Sequence, residues 1–228
     1  MLRALLMATA VLVALHGVML VARYGFGNPG FLKLQAFFDL NKEQNIPTLF
    51  STLQLMAASF LLWVVFACAR RANDRDRYYW AGLALIFAFL GGDEFCEWHE
   101  RMIAPLQHAF HPTGALKFAW YIPYSLLILL FVVGYLRFWW RLPQATRRLF
   151  AFAGVLYVTG GIFFEMLGSK IFTVYGWDSV QFELEVMVEE GLEMTGVAVF
   201  VYAILCYLRD REGTFEVQLA EPASAAND

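Results

Sequence analysis

Long apolar runs alternate with short polar segments along this chain. The runs lie near residues 4–22, 47–69, 79–98, 119–140, 149–168 and 184–208. Each run holds about the 20 residues that an α-helix needs to cross a hydrocarbon core of roughly 30 Å. The pattern predicts an all-α, polytopic membrane bundle of about six helices. We expect one domain over residues 1–208, followed by a short disordered cytoplasmic tail over residues 209–228.

The composition supports a lipid-facing surface. The 228 residues are 60% hydrophobic and 16% charged, whereas soluble domains carry about 25% charged residues. The first apolar run is too long for a secretory signal and no small-residue cleavage site follows it, so we expect it to remain as a helix. Motifs that bind phosphate or attach haem are absent, as is a basic stripe for nucleic acid. Membrane lipids are therefore the expected partners, and nucleic acid is not.

The basic residues predict the orientation of the bundle. Short cytoplasmic loops are enriched in Lys and Arg. With the N-terminus inside, eleven of the 17 basic residues fall on the cytoplasmic side, most of them in the segments 70–77, 137–148 and 209–211. Both termini are then cytoplasmic, and the loops near 23–46, 99–118 and 169–183 face outward. This predicts a multi-pass protein of a bacterial inner membrane.

The acidic residues concentrate on the opposite side of the predicted membrane. Thirteen of the 20 fall on or near the outer side: Asp39, Glu43, Asp93, Glu94, Glu97, Glu100, Glu165, Asp178, Glu183, Glu185, Glu189, Glu190 and Glu193. They come from four separate helix ends. The sequence therefore predicts a carboxylate-rich site at the outer end of the bundle.

Some of these acids are expected in water and others inside the membrane. A solvated position in a loop suits Asp178, Glu183 and Glu185. In contrast, Glu94, Glu165, Glu190 and Glu193 have apolar or glycine neighbours. An ionisable group within a membrane helix costs several kcal/mol unless it is paired or hydrated, so it is a functional-site candidate. We predict that these four acids form the centre of the site.

The third apolar run carries the densest charge. On a continuous helix Asp93, Glu94, Glu97 and Glu100 share about a third of the circumference, and they repel one another unless a cation or a shared proton lies between them. His99 points elsewhere. It can join the site only if the helix unwinds near the membrane surface, which Pro105 makes plausible.

Further ligands are expected from other segments. Glu189 and Glu190 lie four and three residues before Glu193 on the sixth helix, a spacing that lets two of them present to the bundle interior together. The fifth helix adds Glu165, and the segment before the second helix adds Glu43. Glycine pairs at 91–92 and 160–161 favour close helix approach, although ordinary tight packing explains them equally well.

Two other features have alternative interpretations. Asn45 and Pro47 are typical of a helix N-terminus, so capping explains the segment 39–45 without a calcium loop. His16 lies alone in the first apolar run, and His108 and His111 lie in a predicted outer loop. Whether these three histidines join the site stays open.

Three segments carry a resemblance to known families. DLNKEQNIPTLFSTLQL, GGDEFCEWHERM and VEEGLEMTG resemble segments of a group of uncharacterised bacterial multi-pass membrane proteins, over roughly residues 35–200. A fainter likeness is to the alkaline-ceramidase-like membrane hydrolases, which also have an acidic, Asn-rich segment entering a membrane helix. That likeness implies a zinc hydrolase with three histidines, and the late helices here lack a matching set.

The leading hypothesis is a metal-dependent membrane enzyme, a hydrolase or oxidoreductase acting on a lipid or other hydrophobic substrate. The predicted ligands of a divalent ion are Glu43, Glu94, His99, Glu165, Glu189, Glu190 and Glu193, with Asp93 and Glu97 as catalytic residues. Carboxylates with one histidine suit iron, manganese, zinc or calcium. The alternative is a proton- or cation-coupled transporter or channel, or a cation-binding membrane subunit.

Overall fold

The computed structural model describes residues 1–27 and 32–212, and the described residues are almost entirely helical. The α-helices are α1 (Leu2–Leu20), α2 (Leu32–Phe38), α3 (Ile46–Arg71), α4 (Arg77–Cys96), α5 (Trp98–Phe110), α6 (Tyr121–Arg141), α7 (Gln144–Val158), α8 (Glu165–Tyr175) and α9 (Val180–Glu212). Wider, π-helical turns at Val21–Gly25 and Thr159–Phe164 extend α1 and join α7 to α8.

Six of the helical segments are long and apolar enough to cross a membrane: Leu2–Gly25, Ile46–Arg71, Arg77–Cys96, Tyr121–Arg141, Gln144–Tyr175 and Val180–Arg211. This confirms the predicted all-α fold and the six long helices, and it is typical of a multi-pass membrane protein. α6 buries almost none of its length. Leu126, Leu130 and Val133 are exposed on it, as expected for a helix that faces lipid.

The sixth long helix, α9, lies at the centre of the bundle. It packs against α1, α3 and α7, and α3 packs along α4. We call the end at which α4 ends and α9 begins the carboxylate end, and the opposite end the arginine end. At the arginine end an apolar core includes Leu62, Trp80 and Ile204. A second apolar core at the carboxylate end includes Trp120, Phe182 and Met194.

The start of α3 has the expected cap. Asn45 is extended, its side-chain oxygen accepts the backbone N–H of Thr48 at 3.2 Å, and Pro47 lies in the first turn. A side-chain oxygen at this position satisfies one of the unpaired N–H groups of the helix. The Asn45 side chain also donates to the backbone carbonyls of Asp39 and Lys42. The cap therefore fixes the loop that carries Glu43.

The predicted helix boundaries need several corrections. The third apolar run is not one continuous helix, because the backbone reverses at Glu97, which has φ 58°. The predicted loop over 99–118 contains α5, and α8 extends into the predicted loop over 169–183. Pro105 lies within α5 and is not the cause of the break. At the C-terminus α9 continues to Glu212, and the rest of the predicted tail, 213–228, lies outside the described residues.

Candidate metal centre

The break at Glu97 brings the end of α4 and the start of α5 around Asp93. The Oδ1 atom of Asp93 accepts the backbone N–H of His99 at 2.9 Å. Its Oδ2 atom accepts the Tyr124 hydroxyl at 3.0 Å and lies 3.3 Å from Nδ1 of His99. Asp93 is buried. Its carboxylate is therefore fully engaged in holding α5 and the imidazole in place.

His99 turns towards the acids because of this break. With Nδ1 bound to Asp93, Nε2 faces Glu43, whose Oε1 lies 4.0 Å away. Burial lowers the pKa of His99, but the hydrogen bond and charge of Asp93, together with Glu43 and Glu165, outweigh it and raise the pKa to about 9. With Asp93 on Nδ1, Nε2 is the nitrogen that would have to release its proton in order to bind a metal.

Glu43, His99 and Glu100 form a group of metal-ligand geometry. Each offers one atom, and these atoms all lie within 4.8 Å of one another. The Oε2 atom of Glu43 is buried without a hydrogen-bond partner among the described residues. Burial raises the pKa of Glu43 to about 8, with a contribution from the nearby Glu94 and against the effect of His99. This carboxylate is desolvated and lacks a compensating donor.

The first residue of α8 reaches the same region. The Trp120 indole N–H donates to Oε1 of Glu165 at 2.8 Å, and the Trp120 ring lies 4.8 Å from the imidazole of His99. Trp120 therefore contacts both the histidine and the carboxylate. The π-helical turn Thr159–Phe164 immediately precedes Glu165. Wide turns of this kind re-aim the residues that follow them and are frequent at functional sites.

The acids of α9 complete the group. Glu94 and Glu43 act electrostatically on Glu190, and Glu94 and His99 act on Glu193. Gly160 and Gly161 allow α9 to pack this closely against the π-helical turn before Glu165. A Cβ atom on Gly160 would lie 2.8 Å from the backbone oxygen of Glu189, and one on Gly161 would lie 2.5 Å from Oε1 of Glu193. The glycine pair therefore allows α9 to pack closely and leaves room for a carboxylate.

We call this group the carboxylate cluster. It comprises Glu43, Glu94, His99, Glu100, Glu165, Glu189, Glu190 and Glu193. Among the described residues, two ion pairs join a basic side chain to this cluster or to Asp93. His99 makes both of them. One imidazolium cannot neutralise seven carboxylates. The cluster therefore requires further cations or shared protons.

A second buried group, which we call the His16 network, differs from the cluster because its acids are matched by bases. His16 lies between Oδ1 of Asp39, 3.7 Å from Nδ1, and Oε2 of Glu183, 3.6 Å from Nε2. Each acid also faces a base, since Arg23 pairs with Glu183 and Lys42 with Asp39. The backbone N–H of Leu40 donates to Nδ1 of His16 at 3.2 Å, which leaves the proton on Nε2.

The His16 network is therefore built as a structural tie. The side chains of His16, Asp39 and Glu183 lie close together. However, the two acids are matched by two bases, and neither nitrogen of the imidazole has a free lone pair. The network joins α1, the loop after α2 and the start of α9. It explains the lone histidine of the first apolar run without a metal.

Two acids that we expected in water are buried. Glu183 is 2% exposed and belongs to the His16 network, and Glu185 is 5% exposed against α8. Only Asp178 of that set is solvated, with its side chain 89% exposed. The error arose because both glutamates lie at the predicted start of the sixth helix, near residue 184, whereas α9 begins at Val180.

The other predicted residues occupy different environments. Glu97 lies at the helix break, and its carboxylate accepts the Gln44 side-chain amide at 2.9 Å. His108 and His111 are exposed along and after α5, and neither belongs to the ligand-type groups found among the described residues. Of the seven predicted metal ligands, Glu43 and His99 lie in the ligand-type group found among the described residues, together with Glu100. The other five act electrostatically on these residues or on one another.

Sequence reasoning missed three contributors, Trp120, Tyr124 and Glu185. Neither aromatic residue was among the predicted site residues. The available signal was their position, because they open the helix that follows the loop carrying His99. For Glu185, the signal was its spacing of four residues before Glu189 and eight before Glu193, which places all three on one helix face.

The fold and the site define a class: an all-helical protein with six apolar helices and a cluster of carboxylates and one histidine at one end. The chain belongs to the family described as a domain of unknown function (DUF8692), whose family model matches residues 4–208. Comparison with curated proteins and with solved structures gives no match. The resemblance to an uncharacterised family is thus consistent with the comparisons, and the likeness to alkaline-ceramidase-like hydrolases has no support from them.

Proposed function

We propose that this protein is a divalent-metal-dependent enzyme of a bacterial inner membrane, with its carboxylate end facing the periplasm. The observation that carries the proposal is the orientation of His99. Its Nδ1 is held by Asp93 while its Nε2 faces Glu43 and Glu100. A histidine held by a carboxylate on one nitrogen and facing carboxylates on the other is the usual arrangement of a metal ligand.

The residues of the cluster fit such an ion. Glu43, His99 and Glu100 would hold it, with Glu94, Glu190 and Glu193 adjoining. Oxygen ligands with a single imidazole favour manganese, iron or zinc over copper. The metal would supply an activated water or oxygen. Glu97 is placed to accept a proton, because its side chain is partly exposed and held by Gln44. Asp93 acts as a positioning residue.

A lipid or other hydrophobic molecule is the substrate class that we propose. Large apolar side chains are exposed around the carboxylate end, including Phe95, Trp98 and Phe110. Phe95 and Trp98 flank the α4–α5 break, from which His99 enters the cluster, and Phe110 ends α5. Aromatic side chains at this level are suited to the boundary between acyl chains and water. A substrate entering from the membrane would therefore reach His99 and Glu97 first.

The arrangement favours an enzyme over a transporter. A proton or cation pathway needs polar groups spaced across the membrane. Here the buried acids of the described residues lie at the carboxylate end, and the core of the arginine end is apolar. A transport function would predict pH-dependent flux in proteoliposomes without added metal, and this assay separates the two functions.

Metal binding by two histidine variants tests the proposal. His99→Gln removes the central ligand, whereas His108→Gln changes an exposed histidine of the same helix. Detergent-purified proteins would be stripped with a chelator, titrated with Mn²⁺, Fe²⁺ or Zn²⁺, and their bound metal measured by elemental analysis. We expect His99→Gln to lose bound metal and His108→Gln to retain it. A wild-type protein that binds no metal at neutral pH would overturn the proposal.

A second assay tests the activity. The wild type and His99→Gln would be incubated with vesicles of extracted bacterial lipids, with metal or with chelator, and the lipids compared by mass spectrometry. We expect a change in lipid composition that requires both metal and His99. A metal-binding wild type that leaves every lipid unchanged would instead identify a cation-binding membrane subunit.

A further inference from the structure

The carboxylate cluster extends past Glu165 to a buried acid that no base reaches. Glu185 is 5% exposed, and neither of its carboxylate oxygens has a hydrogen-bond partner among the described residues. Two acids lie next to it: Glu165 acts on it electrostatically, and Glu189 is close enough to share a proton with it. A buried carboxylate without a counter-charge is costly, so Glu185 must either hold a proton or bind a cation.

The backbone makes room for this carboxylate. A Cβ atom on Gly168 of α8 would collide with Oε2 of Glu185. Glu185, Glu189 and Glu193 follow one another at intervals of four residues, so they lie along one face of α9. Glu189 is therefore placed between Glu185 on one side and Glu193 on the other. The row connects the Glu185 position to the proposed metal centre.

Glu183, two residues earlier on α9, differs from Glu185 in having basic partners. Both glutamates are buried, but Oε1 of Glu183 faces Arg23 at 3.4 Å and its other oxygen faces His16. Within the described part of the chain, the ion pairs include Glu183 and none of Glu165, Glu185 and Glu189. Glu183 thus has basic partners, whereas Glu185 is in no ion pair among the described residues.

We propose that Glu165, Glu185 and Glu189 form a second divalent-cation position beside the first. This inference rests on the metal-dependent function proposed above. All three ligands are carboxylates, so the position suits a hard cation such as Mn²⁺, Fe²⁺ or Mg²⁺. Trp120 donates to one oxygen of Glu165 and leaves the other for the cation. Glu189, between the two positions, is the carboxylate that both can share.

The test compares two isosteric variants of neighbouring buried acids. Glu185→Gln removes the proposed ligand, and Glu183→Gln removes a charge from the His16 network. Full-length proteins would be stripped with a chelator, reloaded with Mn²⁺ and freed of excess ion by gel filtration. The bound Mn²⁺ per chain would then be measured. We expect two ions in the wild type, one in Glu185→Gln and two in Glu183→Gln.

The metal-free proteins provide a second, independent readout. Without cations, Glu165 repels the Glu185 carboxylate, so Glu185→Gln should raise the melting temperature. Glu183→Gln breaks an ion pair and should lower it. The two variants are therefore expected to shift stability in opposite directions, and a misfolded variant cannot reproduce this pair of results.

Each other outcome has a definite meaning. One Mn²⁺ in both the wild type and Glu185→Gln would overturn the second position while leaving the first in place. Loss of an ion in Glu183→Gln alone would overturn it too, because the second cation would then belong to the His16 network. No Mn²⁺ in the wild type would overturn the proposed function together with this inference.

Discussion

At the scale of single residues, Asp93 decides whether His99 can serve the site. The carboxylate accepts from the His99 backbone, the Tyr124 hydroxyl and the imidazole Nδ1. Because the same side chain fixes both the backbone and the ring of residue 99, it sets the direction of Nε2. The cluster therefore depends on a residue that need not touch the metal itself.

We expect Asp93→Asn to weaken metal binding about 10- to 100-fold, the usual effect of losing a partner behind a histidine ligand. Asparagine keeps the size of the side chain and can still accept from the His99 backbone, so the helix break should persist. Titration with Mn²⁺ measures the change. Tyr124→Phe, which removes only the hydroxyl, is the control and should have a smaller effect. Equal affinity of Asp93→Asn and wild type would contradict the positioning role.

A second prediction concerns a residue at the arginine end. Asp74 accepts the backbone N–H of Asp76 at 2.9 Å and pairs with Arg211 from the end of α9. The Asp76 N–H, and to a smaller extent Arg211, hold the pKa of Asp74 below its usual 3.8 despite partial burial. A carboxyl with a lowered folded-state pKa stabilises the fold only while ionised. Its contribution is therefore present at neutral pH and is lost as the pH falls through that pKa.

Asp74→Asn should accordingly lower the melting temperature at pH 7, and the difference from wild type should shrink as the pH falls below about 4. Thermal denaturation in detergent across this pH range provides the measurement. Asp210→Asn is the control, because Asp210 pairs with Arg209 on the exposed surface, where an ion pair contributes little. A difference for Asp74→Asn that stays constant with pH would refute this account.

At the scale of helices, long apolar runs predicted the elements because a membrane helix must satisfy its backbone internally and cover itself with apolar side chains. Asn45 was predictable as a cap for a similarly local reason. The break at Glu97 was not, because glutamate has no intrinsic preference for a positive φ. What holds it is tertiary: Asp93 accepts the His99 N–H, and Gln44 donates to the Glu97 side chain.

In the candidate site, too, features set by the local sequence were predictable, and features set by tertiary contacts were not. That Glu94, Glu165, Glu190 and Glu193 would lie within apolar helices was predictable, since each has apolar or glycine neighbours. The fates of Glu183 and Glu185 were not, because they depend on which helix lies opposite. Arg23 of the π-helical turn after α1 meets one, and Gly168 of α8 meets the other. Periodicity specifies a face of a helix, and the partner of that face comes only from packing.

The glycines of the π-helical turn lead to a prediction at this scale. Gly161→Ala should displace the Glu193 carboxylate and weaken metal binding, and Gly160→Ala should lower the melting temperature because its Cβ meets the α9 backbone at Glu189. Gly154→Ala in α7 has open space around its Cβ, so its stability should stay the same or rise by about 0.4–1 kcal/mol. Melting and Mn²⁺ titration of the three variants measure this. Normal metal binding by Gly161→Ala would mean that the turn only packs helices.

At the scale of the whole molecule, the carboxylate cluster and the His16 network secure the same end of the bundle in different ways. The network joins α1, the loop after α2 and α9 through matched charges. The cluster draws the loop before α3, the α4–α5 break and α8 towards α9, but its charges repel one another. If the proposed cations bind, they would relieve this repulsion at the carboxylate end, whereas the arginine end is held by its apolar core.

Removal of metal should consequently loosen one end of the protein and not the other. A cation that binds only the folded chain adds about 2.7 kcal/mol of stability at a concentration of 100 times its dissociation constant. We therefore expect a higher melting temperature with Mn²⁺ than with chelator. Hydrogen exchange should rise after chelation in residues 94–110 and 180–193 and stay unchanged near Leu62, Trp80 and Ile204. Equal melting temperatures under both conditions, or exchange that rises equally at both ends, would show that the acids are neutralised by protons alone.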